Sequence, residues 1–318
     1  MIFLDILLLV VGMFFLIKGA DFFVDGSSKI AKALKIPSLI IGLTLVSIGT
    51  SAPELSVSLT SSIKGNNDLS FGNVIGSNIF NVFVVIGCSA LFTPMIVSKN
   101  IKKYDIPILL GIYGLLMLFA FVISPSVIEL FEGIVIFALF FAYIVFLIFR
   151  SKNEESVEEE EDDKKSKWYI NVLLVVVGLA GIIFGGDFVV DSASNIAKTL
   201  GMSELLVGLT IVAVGTSLPE LVTSMVAAKK GENDIAVGNA IGSSIFNIIL
   251  ILGLTAVINP VTVAWSSIVD VIVMIVSVVT ILIMSLKSEK IGKYSGIILI
   301  AMYAVYLTYI ILRGVGAF

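Results

Sequence analysis

Long apolar stretches separated by short polar ones dominate the chain, and their lengths are its first message. About 20 consecutive apolar residues suffice to cross a bilayer as a helix. Ten stretches of that size can be placed: 2–24, 38–61, 70–92, 104–123, 127–149, 168–190, 204–227, 236–258, 265–286 and 291–312. These are numbered spans 1 to 10 below. One stretch is plainly polar, Arg150 to Lys167, which holds Glu154, Glu155 and the acidic run from Glu158 to Asp163 between lysines. It reads as a solvated, disordered linker. The pattern therefore predicts an all-α, polytopic membrane protein with residues 1–149 as one five-helix half, 150–167 as linker and 168–318 as a second five-helix half.

The two halves repeat each other at a constant offset of 166 residues. Gly49-Thr50-Ser51-Ala52-Pro53-Glu54 returns as Gly215-Thr216-Ser217-Leu218-Pro219-Glu220. Gly72-Asn73-Val74-Ile75-Gly76-Ser77-Asn78-Ile79-Phe80-Asn81 returns as Gly238-Asn239-Ala240-Ile241-Gly242-Ser243-Ser244-Ile245-Phe246-Asn247. Asp21 matches Asp187, Asp25 matches Asp191 and Pro94 matches Pro260 at the same offset, while the last two spans of each half have diverged. An odd number of spans per repeat makes the second repeat enter the membrane upside down. The halves are then related by a pseudo-two-fold axis in the membrane plane, the plan of many secondary transporters, which bind substrate near the midplane.

Lysine and arginine placement orients this plan. With the N-terminus outside, one face collects Lys29, Lys32, Lys35, Lys99, Lys102, Lys103, Arg150, Lys152, Lys164, Lys165, Lys167, Lys229, Lys230, Lys287, Lys290 and Lys293. The opposite face holds Lys64, Lys198 and Arg313, and Lys18 falls within span 1. Both termini are therefore expected outside the cell membrane and the acidic linker in the cytoplasm. The N-terminus has no basic n-region, since Asp5 precedes the first lysine, so a cleaved signal peptide is not expected.

Composition narrows the chemistry. The 318 residues are 58% hydrophobic, with a net charge of -4 concentrated in the linker. There is no histidine and only one cysteine, Cys88. Imidazole-based zinc sites and proton relays, serine–histidine triads, thiolate clusters and disulfides are excluded. No enzyme activity, cofactor, nucleic acid or obligatory protein partner is expected. The expected partners are cations and the lipid bilayer.

The candidate chemistry lies midway along spans 2, 3, 7 and 8. A carboxylate in the bilayer core is expensive and marks a functional site by default. Glu54 and Glu220 each follow a proline that has no N–H to give the carbonyl four residues back, at Gly49 and Gly215. A bound cation is one way to satisfy carbonyls freed in this manner. Thr50, Ser51, Thr216 and Ser217 add hydroxyl and carbonyl oxygens, Asn81 and Asn247 add amide oxygens, and Ser77 and Ser243 sit one turn earlier on the same faces. Hard oxygen ligands suit Ca²⁺ or Na⁺ rather than zinc or copper. The glycines at 72, 76, 238 and 242 predict close helix packing. Asp21, Asp25, Asp187 and Asp191 read as interfacial groups or as the lining of an ion path, and Lys18 as a snorkelling or paired side chain.

These motifs resemble the two alpha repeats of the sodium/calcium exchangers, within the calcium/cation antiporter superfamily, and the resemblance extends through the ten-span plan to essentially the whole chain. It implies Na⁺/Ca²⁺ antiport by alternating access, electrogenic if a third Na⁺ is carried, with spans 1 and 6 sliding past the other eight. It implies Glu54 and Glu220 as carboxylates shared by Ca²⁺ and Na⁺, with Thr50 and Thr216 as Ca²⁺ carbonyl ligands. It further implies Ser51, Ser77, Ser217 and Ser243, with the carbonyls of Ser47 and Ala213, as Na⁺ ligands, and Asn81 and Asn247 at the centre. Some relatives and the potassium-dependent exchangers carry aspartate where this chain has Asn247, which argues against potassium dependence. Proton-coupled cation antiport and, in a different class, a passive cation channel are the alternatives. An intramembrane aspartyl protease built on Asp21 and Asp187 is disfavoured, because Phe184-Gly185-Gly186-Asp187 lacks the first glycine of a Gly-x-Gly-Asp motif.

Overall fold

A computed structural model describes residues 2–65, 67–153, 168–201 and 213–314. Among them, eight helices are long and apolar enough to cross a membrane: Ile2–Leu34, Leu69–Phe92, Ile101–Ile123, Leu130–Lys152, Trp168–Thr199, Asn233–Ile258, Ser267–Leu286 and Lys293–Gly314. A ninth span is broken, with Ser38–Thr50 and Ala52–Ile63 meeting at a bend of 48°. Span 7 is described only in its second half, Leu218–Lys229, preceded by the short helix Ala213–Gly215; the first part of the predicted 204–227 stretch lies outside the described residues. So does the linker from residue 154 to 167.

Spans 1 and 6 are longer than their apolar runs. Helix Ile2–Leu34 continues ten residues past the predicted limit at residue 24, and Trp168–Thr199 nine past the limit at 190. At about 1.5 Å per residue, the first is roughly 50 Å long against an apolar core of about 30 Å. Hydropathy detects only the part that lipid demands, and the polar continuation stays helical because other elements pair with it. The first helix stops where Lys35 turns to a positive φ of 54°. The Ile36 amide then donates to the Ala31 carbonyl at 2.9 Å, a Schellman-type end followed by Pro37. The repeat-equivalent of Lys35 is Gly201, also at positive φ.

Spans 1 and 6 run antiparallel in close contact. A Cβ added at Gly19 would lie 2.7 Å from the Gly178 carbonyl oxygen, and one added at Gly12 would lie 2.9 Å from that of Gly185. Gly12 and Gly178 are repeat-equivalents, as are Gly19 and Gly185, so the contact is its own two-fold image. Helix association in lipid rests on such backbone approach rather than on a hydrophobic drive. Gly238 and Gly242 play the predicted packing role against span 2, approaching the Leu39 carbonyl and the Leu43 backbone. Gly72 and Gly76 do not: they meet no described atom and line a cavity instead.

Two short antiparallel ladders tie the halves together. Strand β1 (Met95–Ile96) pairs with β4 (Lys290–Ile291), and β2 (Val127–Ile128) pairs with β3 (Val261–Thr262). Each ladder joins one loop from each half, and six spans lie between β1 and β4, so the pairing requires the even span count. The diverged spans are also clamped in matching ways. Asp105 in span 4 accepts two hydrogen bonds from Arg150 at the end of span 5, at 2.7 and 2.9 Å. Asp270 in span 9 pairs with Arg313 at the end of span 10, at 2.9 Å.

This corrects the sequence reading of Arg150. It does not open a solvated linker; helix Leu130–Asn153 continues through it, and its side chain is 5% exposed. The buried Asp105 carboxylate, 0% exposed, holds it there, since a charge left alone at that depth would be strongly destabilising.

Gly19→Ala is expected to lower the melting temperature of the purified protein in detergent, because its Cβ would sit 2.6 Å from the Ile182 backbone nitrogen. Gly111→Ala, at a helical glycine with no atom nearby, is expected to leave it unchanged or raise it. Equal shifts in a thermal fluorescence assay would refute the close-contact account.

Candidate ion site

The proline of each Gly-Thr-Ser-x-Pro-Glu motif does more than kink a continuous helix. The first helical segment ends, Ser51 takes φ -82° and ψ 10°, and a new helix begins with Pro53 in its first turn. Ser217 takes φ -93° and ψ 7°, and its helix begins with Pro219 in the same place. Pro at a helix start is favourable because its missing N–H would be unpaired there anyway. Glu54 and Glu220 then fall in the first turn of the new helices. Helix N-termini carry partial positive charge, which favours a carboxylate in that turn.

Both carboxylates are fully buried, and each is held by the other repeat. Ser51 Oγ donates to Glu220 Oε1 at 2.8 Å, and Ser217 Oγ donates to Glu54 Oε1 at 2.9 Å. These two bonds are images of each other under the 166 offset. Ser77 Oγ adds a longer contact to Glu54 Oε1 at 3.4 Å and lies 3.0 Å from Ser217 Oγ. The second carboxylate oxygens, Glu54 Oε2 and Glu220 Oε2, have no hydrogen-bond partner.

Spans 3 and 8 supply the amides. Each helix widens into a π-helical turn beginning at the predicted asparagine, Asn81–Val85 and Asn247–Leu252. Such turns disturb the regular backbone ladder and recur at functional sites. Asn81 is fully buried with neither amide atom paired, and Asn247 leaves its Oδ1 unpaired while its Nδ2 donates to Asn78 Oδ1 at 3.0 Å. Thr216 Oγ1 is buried and unpaired as well. Buried polar atoms are normally satisfied. Oxygens left over from the same four segments are what a dehydrated cation would need as ligands.

The remaining predicted residues divide. Thr50 Oγ1 donates to Asn239 Oδ1, at 3.0 Å. The Ser47 carbonyl receives the Ser243 hydroxyl at 3.5 Å, while Ser47 Oγ binds the Gly42 carbonyl at 2.6 Å. Ala213 starts the described helical turn ahead of Thr216. Among the described residues no cluster of three or more acidic, cysteine or histidine side chains could hold a metal, so the site has two carboxylates and neutral oxygens.

Sequence reasoning missed a supporting layer. Asn73 Nδ2 donates to Ser58 Oγ at 3.0 Å, and Asn239 Nδ2 to Ser224 Oγ at 2.9 Å. These image pairs lash spans 3 and 8 to the helices bearing Glu54 and Glu220. The duplicated Asn73 and Asn239 were visible in the motifs; the serines were visible only as a repeat of small polar residues. Asn78 was also missed. Its Nδ2 donates to the Ser244 carbonyl at 3.1 Å, and Ser244 is its own repeat-equivalent. Equivalent residues can touch only at the two-fold axis, so Asn78 marks that axis beside the carboxylates. No repeat identity flagged it, because one copy has asparagine and the other serine.

A ten-helix inverted repeat, with two proline-started half-helices presenting carboxylates beside one axis, defines a membrane carrier for small cations. The family described as "Sodium/calcium exchanger protein" matches residues 4–149 and 170–312, which is both halves. The chain is 36% identical over 306 residues to the sodium/calcium exchanger MaX1 of Methanosarcina acetivorans, covering 84% of this chain and 87% of that one. It is 40% identical over 257 residues to the putative antiporter CaxA of Alkalimonas amylolytica, 79% of each chain. A solved structure of the sodium-calcium exchanger NCX_Mj superposes with a TM-score of 0.83 at 34% identity, covering 97% of this chain and 99% of that one. The chain belongs to the sodium/calcium exchanger family and is a Na⁺/Ca²⁺ antiporter of its prokaryotic and archaeal type.

A hydrogen bond to a charged group contributes about 1.5–3 kcal/mol. Ser217→Ala is therefore expected to raise the Na⁺ concentration for half-maximal exchange by about tenfold or more. Transport measured across a Na⁺ titration checks this; an unchanged half-saturation would remove Ser217 from the site.

Proposed function

We propose that Glu54 and Glu220 form one shared site, used in turn by Ca²⁺ and Na⁺, and that their mutual exclusion there is the basis of antiport. The observation that supports it best is the reciprocal pair of hydrogen bonds, Ser51 to Glu220 and Ser217 to Glu54. Each half-site is completed by the other repeat, so neither carboxylate works alone.

Charge decides the exchange. Two carboxylates are neutralised by one Ca²⁺ or by two Na⁺, and the ligands taken by one ion are lost to the other. Ca²⁺ draws about 6–8 oxygens. Glu54, Glu220 and the backbone carbonyls of Thr50 and Thr216 are the proposed Ca²⁺ set. The hydroxyls of Ser51, Ser77, Ser217 and Ser243, with the carbonyls of Ser47 and Ala213, serve Na⁺, while Asn81 and Asn247 sit between. A site without cations carries two uncompensated charges in a low-dielectric pocket, and moving it through the barrier is strongly unfavourable. Only the loaded site changes sides, which makes exchange obligatory. A third Na⁺ makes the cycle electrogenic, and the membrane potential then contributes about 2.3 kcal/mol per charge per 100 mV.

The lysine bias supports a cell-membrane orientation with both termini outside and the 150–167 segment in the cytoplasm. No cofactor or protein partner enters this scheme, and the protein performs no covalent chemistry.

In proteoliposomes loaded with Na⁺, wild-type protein is expected to take up ⁴⁵Ca²⁺, and Glu54→Gln or Glu220→Gln is expected to abolish that uptake. Retained flux in either variant would sink the shared site. Uptake driven by a pH gradient alone would favour proton coupling, and Ca²⁺ permeation without any counter-gradient would favour a channel.

A further inference from the structure

The inverted repeat makes a strong demand on the faces of the molecule: any contact on one face has an image on the other. The structure breaks that equivalence in a consistent direction. Lys230, which ends the Glu220 helix, places its Nζ 2.6 Å from Asp21 Oδ1 and 2.7 Å from Asp25 Oδ1 on span 1. The repeat-equivalents are Lys64, which ends the Glu54 helix, and Asp187 and Asp191 on span 6. Among the described residues, none of those three side chains makes a hydrogen bond or an ion pair. Lys18, which also lies 3.5 Å from Asp21, has no basic image, since residue 184 is phenylalanine. Of the two lysines beside Asp21, only Lys230 has a basic image, Lys64.

The same asymmetry recurs twice more. Ser28 Oγ donates to Glu232 Oε1 at 2.6 Å beside Lys230, while its image Ser194 leaves a buried hydroxyl unpaired. Thr50 is locked to Asn239, while its image Thr216 is unpaired. Where the pairs are open, a cavity of about 410 Å³ lies between Asp187, Val190 and Asp191 on span 6 and reaches Thr216, Pro219 and Pro53. Where the pairs are closed, the images of Val190 and Thr216, namely Val24 and Thr50, are fully buried. A cavity leading to the Pro-Glu breaks thus exists on the face whose lysine is unpaired, and its image is shut on the face whose lysine is bound.

We propose that Lys230 and Lys64 are reciprocal latches. Lys230 bound to Asp21 and Asp25 holds one face shut, and Lys64 bound to Asp187 and Asp191 holds the other shut in the opposite state. Each ammonium is a tethered cation that occupies the acidic mouth whenever that mouth is closed and releases it for Ca²⁺ or Na⁺ when it opens. The two states trade one lysine–diaspartate cluster for its image, so neither is locked against the other. The inference rests on alternating access at the Pro-Glu site but uses none of its ligands, and its test does not depend on flux.

The experiment places single cysteines at Val24 or Val190 in a Cys88→Ser background and measures maleimide labelling of the full-length protein in detergent with Ca²⁺, where both faces meet the reagent. Val190→Cys is expected to label faster than Val24→Cys. Adding Lys230→Met is expected to speed Val24→Cys and slow Val190→Cys. Adding Lys64→Met is expected to do the reverse, by about fivefold, equivalent to about 1 kcal/mol. Lys64→Met is the decisive variant, because the Lys64 side chain makes no hydrogen bond or ion pair in this state that its removal would break. A Lys64→Met protein whose Val24→Cys labels at the unmodified rate overturns the proposal, as does a shift in the same direction by both lysine variants. Loss of Na⁺-driven flux in Glu54→Gln with this labelling pattern intact would leave the latch standing apart from the site.

Discussion

The structure depends on one interaction made twice: a buried carboxylate of one repeat held by a serine hydroxyl of the other. Two unpaired carboxylates at mid-depth would oppose folding by more than a protein's usual margin of stability. The Ser51–Glu220 and Ser217–Glu54 bonds satisfy one oxygen of each. The remaining oxygens stay unsatisfied within the protein. On the proposed reading, a cation fills that residual deficit, and the reciprocity makes the two half-sites one.

Other features follow from presenting these groups without flooding the membrane. The breaks at Ser51 and Ser217 put each glutamate at the start of a helix. The π-helical turns at Asn81 and Asn247 free amide oxygens from an otherwise regular wall. The Asn73–Ser58 and Asn239–Ser224 pairs fix the wall to the broken helices. Around this rigid set, spans 1 and 6 contact each other through glycine backbones. A contact of that kind binds the two long helices to each other as one pair.

Much of this was legible in the chain because inversion duplicates information. The pairing of the Pro-Glu motifs follows from one offset, the ten spans from the lengths of the apolar runs, and the axis through the midplane from the two together. The family resemblance rested on the same residues. What was not legible involves partners distant in sequence or without an image. Arg150 read as linker because nothing in its neighbourhood announces Asp105, 45 residues earlier. The axis contact of Asn78 with Ser244 was hidden by the difference between the two residues. The π-helical turns leave no trace in composition, since both lie in runs as apolar as a regular helix. In the sequence Lys64 and Lys230 signal only topology; the pairing of Lys230 with Asp21 and Asp25 appears only in three dimensions.

On the proposed reading, one chain carries one Ca²⁺ site for which Na⁺ competes. Equilibrium binding of ⁴⁵Ca²⁺ to the purified protein across a range of Na⁺ concentrations tests it most directly. One Ca²⁺ per chain is expected at saturation, with Na⁺ raising the apparent dissociation constant and leaving that capacity unchanged. Two Ca²⁺ per chain, or a capacity that falls with Na⁺ at constant affinity, would contradict it.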